Sequence, residues 1–293
     1  MARPKRFHVL VATDGSASAK AAVDTAVRFP WPDGAAASGI VVREVRADYR
    51  SSILLTALDQ RATAVARATK RVLARRWPGA EVRVVEAGPA AAIVDEAARV
   101  SASVAVLGWR GHGTLRRLLT GSVSRGVARH APCAVLTVKR RIRDLRQVVV
   151  GIDGSRYAHR AVDLIARLSV PRRGRVSLVA AVETMPVPAQ SLIAAGTRSA
   201  VRAEVERINQ DRQTRALKEL DRAKAVLTRA GWRVDAVLTD GAPLRELLAT
   251  VTRTEADLLA VGARGVRGLQ RLLLGSVAEG ALDRSPVPVL LVR

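Results

Sequence analysis

Two glycine-rich segments of this 293-residue chain have the composition and spacing of anion-binding loops. Residues 108–122 and 262–276 both follow the pattern G-x2-G-x9-G-S. Glycine lets the backbone approach a ligand closely and adopt positive φ angles, which we expect at Gly121 and Gly275. The Gly-Ser pair is expected to open a helix, whose free N–H groups and dipole favour an anion. The pattern therefore predicts a phosphate site in each segment, and the alternative is two tight turns that bind nothing.

An Asp-Gly-Ser sequence precedes each glycine-rich segment by about a hundred residues, starting at Asp14 and at Asp153. Asp-Gly is a common turn dipeptide, so each aspartate could simply form a turn. The recurrence of the same pair of motifs at corresponding positions favours a shared role. We therefore expect the two motifs to belong to one site in each half.

These motifs occur twice because the chain repeats itself. Residues 9–16 resemble residues 148–155, at an offset of 139. Residues 117–124 resemble residues 271–278, at an offset of 154. The offset grows by 15, so the second copy carries an insertion of about that length.

The repeat predicts two homologous domains, residues 1–143 and residues 144–293. The boundary falls in the basic segment 139–146, which lies between two apolar runs. We place the insertion in the Pro/Ala-rich stretch 184–200.

Short apolar runs alternate with helical patterns in both halves. Residues 7–12 are nearly all apolar and end in Asp-Gly-Ser, as expected of a parallel strand that is buried on both faces. Ser16 or Ser18 can cap the helix that follows, and Pro30 stops it. The alternation predicts α/β architecture, with a doubly wound parallel sheet of five strands in each domain. Ligands of such sheets bind at the carboxyl ends of the strands, where both motifs fall.

With these motifs the chain resembles the universal stress protein family in its tandem-domain form. The resemblance rests on the Asp-Gly-Ser sequences, the two glycine-rich segments, and the related endings at residues 130–138 and 284–292. It covers nearly the whole chain. It implies a Rossmann-like fold of the adenine nucleotide alpha hydrolase type.

The resemblance also implies ATP as the ligand, with Mg²⁺ able to accompany it. In the ATP-binding branch of the family, the aspartate contacts adenine, the end of the second strand flanks the base, and the glycine loop and the Gly-Ser turn hold ribose and phosphates. The residues implied in the first domain are Asp14, Val45, Gly108, Arg110, Gly111, Gly121, Ser122, Val123 and Ser124. The residues implied in the second domain are Asp153, Val182, Gly262, Arg264, Gly265, Gly275, Ser276 and Val277.

Two positions depart from the family pattern. Trp109 is bulky where the family usually has a small or polar residue, so it is expected either to crowd the first site or to stack on a neighbour. Ala278 replaces the hydroxyl that Ser124 offers, which is expected to remove one phosphate donor from the second site. The two sites should therefore be unequal.

The positive charge of the chain raises the question of a nucleic-acid partner. The formal net charge is +23, from 49 basic and 26 acidic residues. Only eight aromatic residues are available to stack on bases. We therefore expect a dispersed basic surface rather than a nucleic-acid site, and a nucleic-acid-associated protein on the same fold is kept as an alternative.

Composition also bears on location and on metal binding. Apolar runs fall well short of the roughly 18 to 20 residues of a membrane-spanning helix. Cys133 is the single cysteine, which excludes an intrachain disulfide and a thiolate metal cage. We expect a cytoplasmic protein that neither enters a membrane nor holds a metal of its own.

Catalysis has little support in the sequence. A Walker loop, G-x-x-x-x-G-K-[ST], is missing, and no Ser/His/Asp order or carboxylate pair stands out. The main hypothesis is an ATP-binding stress-response or signalling module with unknown protein partners. The alternative is a weak ATPase or phosphotransfer enzyme.

The last strands of the two repeats are expected to pair. Residues 134–138 and 287–292 are apolar runs that would leave unpaired backbone groups if they lay at sheet edges. Pairing them inside one chain covers both edges. We therefore predict intrachain pairing of the domains with an internal pseudo-twofold axis, to which a homodimer could add.

Overall fold

The computed structural model describes residues 6–44, 51–109, 121–189, 195–265 and 274–293. Strands and helices alternate along both halves of the chain. The strands are β1 (His8–Ala12), β2 (Ala36–Arg43), β3 (Val82–Glu86), β4 (Val104–Gly108), β5 (Ala134–Val138), β6 (Gln147–Gly151), β7 (Arg175–Val182), β8 (Arg233–Asp240), β9 (Leu258–Gly262) and β10 (Val289–Val292). The helices are α1 (Ala17–Arg28), α2 (Ser52–Leu73), α3 (Pro89–Arg99), α4 (Ser122–His130), α5 (Arg156–Ala166), α6 (Arg198–Arg229), α7 (Pro243–Arg253) and α8 (Ser276–Arg284).

All ten strands form one continuous sheet, in the order β3-β2-β1-β4-β5-β10-β9-β6-β7-β8. Within each half the neighbouring strands are parallel. The two halves join through an antiparallel pair, β5 with β10, in which Leu136 lies opposite Leu290. The predicted α/β class and the predicted pairing of the last strands are therefore confirmed. The division at residues 143 and 144 stays a prediction.

Helices cover both faces of the sheet because alternate strand residues point to opposite sides. Val9 and Val11 of β1 belong to a core that also includes residues of α1, α2, α5 and α6 and that continues across both halves. Leu10 of β1 faces the other side, where it packs with α3 and α4. The corresponding layer of the second half consists of α7 and α8. The outermost strands β3 and β8 are half-exposed, whereas β5 and β10 are fully buried.

The first helix of each half begins as the sequence predicts. The hydroxyl of Ser16 accepts a hydrogen bond from Ala19 N, and that of Ser155 accepts one from Ala158 N. The preceding glycines, Gly15 and Gly154, have φ angles of 78° and 75°, which a residue with a side chain adopts only with strain.

The insertion extends further along the chain than predicted. Helix α6 has 32 residues, whereas its counterpart α2 has 22. Part of the extra length is therefore helical and lies beyond the predicted stretch 184–200. Helix α6 is joined to the segment after β7, where Asn209 exchanges two hydrogen bonds with the backbone of Met185.

Side chains of α4 and α8 join the two halves across one face of the sheet. Arg125 Nη2 lies 2.9 Å from Asp283 Oδ1, and Arg129 Nη2 lies 2.7 Å from Glu279 Oε1. On the other face the ends of α1 and α5 meet, because Ser169 N donates to Pro30 O at 2.9 Å. The halves are thus held together by the sheet and by contacts in both helical layers.

In the part of the chain that the structure describes, every helix is too short or too polar to span a bilayer.

Candidate functional site

The topology brings each Asp-Gly-Ser turn beside the start of a glycine-rich segment. Strand β1 pairs directly with β4, and β6 pairs directly with β9. Because the strands of each pair are parallel, their carboxyl ends reach the same edge of the sheet. Asp14 therefore follows β1 next to the end of β4, and Asp153 follows β6 next to the end of β9.

In the second half, direct contacts join the two motifs. The hydroxyl of Ser155 donates to the backbone carbonyl of Arg264 at 3.2 Å. A Cβ atom added at Gly265 would lie only 2.7 Å from Asp153 Oδ2. Glycine at this position thus lets the loop backbone approach the carboxylate of Asp153.

Each aspartate also forms a turn. Oδ1 of Asp14 accepts a hydrogen bond from Ser16 N, and Oδ1 of Asp153 accepts one from Ser155 N, both at 2.9 Å. Among the described residues, Asp153 Oδ2 receives no hydrogen bond. The turn interpretation therefore accounts for one oxygen of Asp153 and leaves the other to face the loop.

Gly108 and Gly262 have a packing role that the sequence does not reveal. A Cβ atom at Gly108 would lie 2.7 Å from Ala19 N, and one at Gly262 would lie 2.9 Å from Ala158 N. These glycines let the ends of β4 and β9 touch the first turns of α1 and α5. Their absence of a side chain is thus required by the helices, whatever binds nearby.

The ends of each glycine-rich segment are tied together by a backbone hydrogen bond. Gly121 N donates to Trp109 O at 3.0 Å, and Gly275 N donates to Ala263 O at 2.8 Å. The φ angles of the two glycines are −57° and −81°, so the predicted positive φ is wrong. An added Cβ atom at position 275 would lie 3.4 Å from Arg264 Cα, an ordinary packing distance, so space does not require glycine there either.

Helices α4 and α8 begin directly after these glycines, and among the described residues no side chain caps either helix. Ser122 and Ser276 are exposed, and Val123 and Val277 are half-buried. The first N–H groups of both helices are therefore available to an anion.

The prediction that Ser124 offers a phosphate donor, which Ala278 lacks, needs correction. Ser124 is buried, and its hydroxyl donates to Gly108 O at 2.7 Å. Its proton is therefore committed to the end of β4 rather than directed to a phosphate. Ala278 is buried at the equivalent position, so its methyl group does not leave a gap in a ligand shell.

Trp109 stacks on a neighbour, which is one of the two predicted outcomes. The Nζ atom of Lys139 lies 4.9 Å from the centre of its ring. Lys139 also donates to the carbonyls of Asp283 and Ser285 at the end of α8. The first glycine-rich segment is thus connected to the second half of the molecule.

Positive charge surrounds the second site. A hydrogen bond from Arg156 lowers the pKa of Tyr157, and the nearby charge of Arg264 lowers it further. Burial lowers the pKa of Arg293, and Arg264 contributes there as well. Arg264 thus adds positive charge to this part of the molecule, which suits an anion.

An ion-pair network beside the second site was missed by sequence reasoning. Glu219 of α6 packs against Gly154, and its Oε2 lies 2.6 Å from Nε2 of His159. Arg222 binds the other carboxylate oxygen at 2.6 Å. In the first half, Val65 of α2 covers the equivalent Gly15. Only an alignment of the two long helices, at an offset of 154, could have revealed this difference.

The remaining predicted site residues take no part in the contacts described above. Val45, Arg110 and Gly111 lie outside the described residues. Val182 is half-buried at the end of β7, and its carbonyl accepts a hydrogen bond from Gly241 N. Within the described ranges, no group of three or more His, Cys, Asp or Glu side chains could hold a metal ion.

Comparisons with known proteins agree with the geometry. The model of the universal stress protein family matches residues 5–139 and again residues 145–293. Universal stress protein YxiE of Bacillus subtilis is 28% identical over 147 residues, which cover 50% of this chain and 98% of that protein. A universal stress protein of Mycobacterium tuberculosis is 33% identical over 209 residues, which cover 66% of this chain and 62% of that protein. The match thus spans less than two thirds of the mycobacterial relative.

A solved structure has the same fold along the whole chain. It is a universal stress protein from Archaeoglobus fulgidus, with a TM-score of 0.68 and 19% sequence identity. The alignment covers 98% of this chain and 96% of that one.

Proposed function

Because this chain belongs to the universal stress protein family, we propose that each of its two domains binds one ATP molecule and that the protein acts as a nucleotide-dependent stress-response or signalling module. One observation carries the proposal. In the second half, the carboxylate of Asp153 lies against the backbone of Gly265, beside positive charge from Arg264. Such a combination provides an acceptor for a base and a close-approaching backbone for phosphates.

Each part of the nucleotide has a suitable partner in this arrangement. The free oxygen of Asp153 can accept a hydrogen bond from the amino group of adenine. The backbone of the glycine-rich segment can approach the ribose and the phosphates. The uncapped N–H groups of α8 favour the negatively charged phosphate tail. ATP would supply the anionic ligand, with Mg²⁺ bound through its phosphates.

We expect the two sites to differ in phosphate affinity because the first turns of α4 and α8 differ in charge. The fourth helical residue is Arg125 in α4 and Glu279 in α8. A cation near the phosphates strengthens anion binding and an anion weakens it. Both residues are paired across the junction, Arg125 with Asp283 and Glu279 with Arg129, which reduces this difference without removing it. The first site should therefore bind ATP more tightly.

The antiparallel junction separates the two sites. Strand direction reverses between β5 and β10. The carboxyl ends of β1–β5 and the carboxyl ends of β6–β10 therefore point in opposite directions along the strands. Two nucleotides would therefore bind at separate places on the molecule, and one nucleotide could not contact both sites.

The test is a measurement of nucleotide binding to matched variants. Mass spectrometry of the purified protein is expected to detect released ATP, and calorimetry is expected to detect up to two sites per chain. Asp153→Asn keeps an acceptor for the turn but replaces the second oxygen with an amide donor. We expect it to weaken ATP binding at the second site about tenfold, the worth of one good hydrogen bond to a charged group.

Asp235→Asn is the matched control, because Asp235 is an exposed aspartate on strand β8. Its ATP affinity should equal that of the wild type. Equal affinity of the Asp153 and Asp235 variants would contradict the assigned role of Asp153. Turnover measured in the same samples distinguishes binding from the weak ATPase alternative.

A further inference from the structure

A basic cleft lies at the junction of the two halves, lined by none of the residues assigned to ATP. Its volume is about 530 Å³. The cationic residues that line it are Arg28, Arg146, Arg172 and Arg173.

The fold, rather than local sequence, gathers these arginines. Arg28 is the last residue of α1, Arg146 precedes β6, and Arg172 and Arg173 lie in the turn between α5 and β7. Arg175 N donates to Arg146 O at 2.8 Å, which joins the second and third segments. The contacts of Ser169 with the backbone after α1 bring the first segment to them.

Most of the positive charge in the cleft is not neutralised. Asp144 is the one acidic side chain in the lining, and its carboxylate binds Arg146 at 3.0 Å. Within the described part of the chain, Arg28, Arg172 and Arg173 form no ion pair and no side-chain hydrogen bond. Three of the arginines that line the cleft thus have guanidinium donors that the described residues leave unused.

The walls of the cleft are held in place by packing. Gly174 N donates to Pro171 O at 2.8 Å, which closes the turn that carries two of the arginines. A Cβ atom at Gly174 would lie 2.8 Å from the ring of Trp232, so this turn sits directly on the core. Leu145 is buried in the floor. A ligand would therefore order side chains but little backbone, which lowers the entropy cost of binding.

We propose that this cleft binds a compact anion that carries several phosphate groups, of the size of a tripolyphosphate chain. Guanidinium groups present paired N–H donors that match phosphate oxygens, and three unpaired groups suit successive phosphates. Such a ligand would contact both halves of the molecule at once, because Arg28 belongs to the first half and the other arginines to the second. Its binding would therefore also stabilise their association.

The experiment titrates inorganic tripolyphosphate into the full-length protein by calorimetry. We expect the wild-type chain to bind one tripolyphosphate. The double variant Arg172→Gln with Arg173→Gln is expected to lower the affinity of this site at least tenfold. Arg28→Gln, on the opposite wall, is expected to weaken the same site several-fold. Arg67→Gln with Arg71→Gln is the control, since these exposed arginines of α2 lie outside the cleft. Circular dichroism of each variant checks the fold.

Several outcomes would overturn the proposal. The first is that the wild type binds no tripolyphosphate. The second is that the Arg172/Arg173 and Arg67/Arg71 variants bind it with equal affinity. The third is that the protein binds duplex DNA but no tripolyphosphate, and that this DNA binding depends on Arg172 and Arg173. The proposed ATP sites are tested separately, because Asp153→Asn should leave this tripolyphosphate site unchanged. A wild-type protein that binds tripolyphosphate in the cleft but binds no ATP would refute the ATP proposal only.

Discussion

The charges between α4 and α8 make a quantitative prediction about which domains can pair. At the repeat offset of 154, Arg125 corresponds to Glu279 and Arg129 corresponds to Asp283. The observed pairs are Arg125 with Asp283 and Arg129 with Glu279. Two copies of the first domain, joined in the same way, would instead place Arg125 of each against Arg129 of the other. Two copies of the second domain would oppose their acidic residues.

The size of the effect follows from the exposure of these side chains. They are between 26% and 43% exposed, so each ion pair is worth about 0.5 kcal/mol rather than the value of a buried pair. Replacing both arginines with glutamate removes two attractions and adds two repulsions of similar size. The free energy of unfolding should then fall by about 2 kcal/mol, which corresponds to roughly thirtyfold in an equilibrium constant.

Urea denaturation of the full-length protein measures this change. Arg125→Glu with Arg129→Glu should lower the free energy of unfolding, and adding Glu279→Arg with Asp283→Arg should recover most of the loss. The effect should shrink in 1 M salt, where the Debye length is about 3 Å. Arg67→Glu with Arg71→Glu on α2 controls for charge alone. A fourfold variant as unstable as the double variant would refute the pairing argument.

The same charges predict the behaviour of separated halves. Residues 1–143 and 144–293, expressed apart and then mixed, should form a heterodimer in preference to either homodimer. The sequence argument from apolar edges alone allowed all three pairings. Sedimentation of the mixture at low and high salt distinguishes them, and two stable homodimers that do not exchange would contradict the charge argument.

Three further predictions concern single positions. Gly108→Ala should lower the free energy of unfolding by about 2 kcal/mol, because the added methyl group overlaps the first turn of α1; thermal unfolding measures it. Ala278→Ser should leave ATP affinity unchanged in calorimetry, since position 278 is buried like Ser124; a tighter second site would show that the hydroxyl reaches phosphate. Hydrogen bonds from Arg99 lower the pKa of Glu96, so its stabilising contribution is present above the ordinary carboxylate pKa and is lost as pH falls through the lowered value. Glu96→Gln should therefore flatten the acid limb of the stability–pH profile, and an unchanged limb would contradict this.

Much of the fold could be predicted from the sequence because the determining residues act locally. The apolar run of residues 134–138 has to be covered, and the equivalent run of the second repeat is at its end. The pairing of β5 with β10 could therefore be predicted. Ser16 and Ser155 reveal helix starts through short-range capping. The length of α6 was not accessible, because its first turns are polar and exposed and resemble a linker in composition.

The details of the candidate site depended on directions that a sequence does not contain. A serine after a Gly-Ser pair looks like a phosphate donor, yet helix geometry turns Ser124 toward Gly108 O. Glycine at position 108 looks like a ligand contact, yet it is required by α1. Glu219 is an ordinary charged residue of a polar helix until the packing of α6 on Gly154 is known. In each case the residue type was visible and its partner was not.

The two flanks of the sheet differ from its centre in a way that limits assembly. The central strands β5 and β10 are apolar and buried, and they satisfy each other within the chain. The flanking strands carry exposed charges, namely Arg83 and Glu86 on β3 and Arg233, Asp235 and Asp240 on β8. Charged side chains on a terminal strand oppose the addition of another strand. Charge on both flanks therefore opposes the lateral addition of further copies of the chain to this sheet.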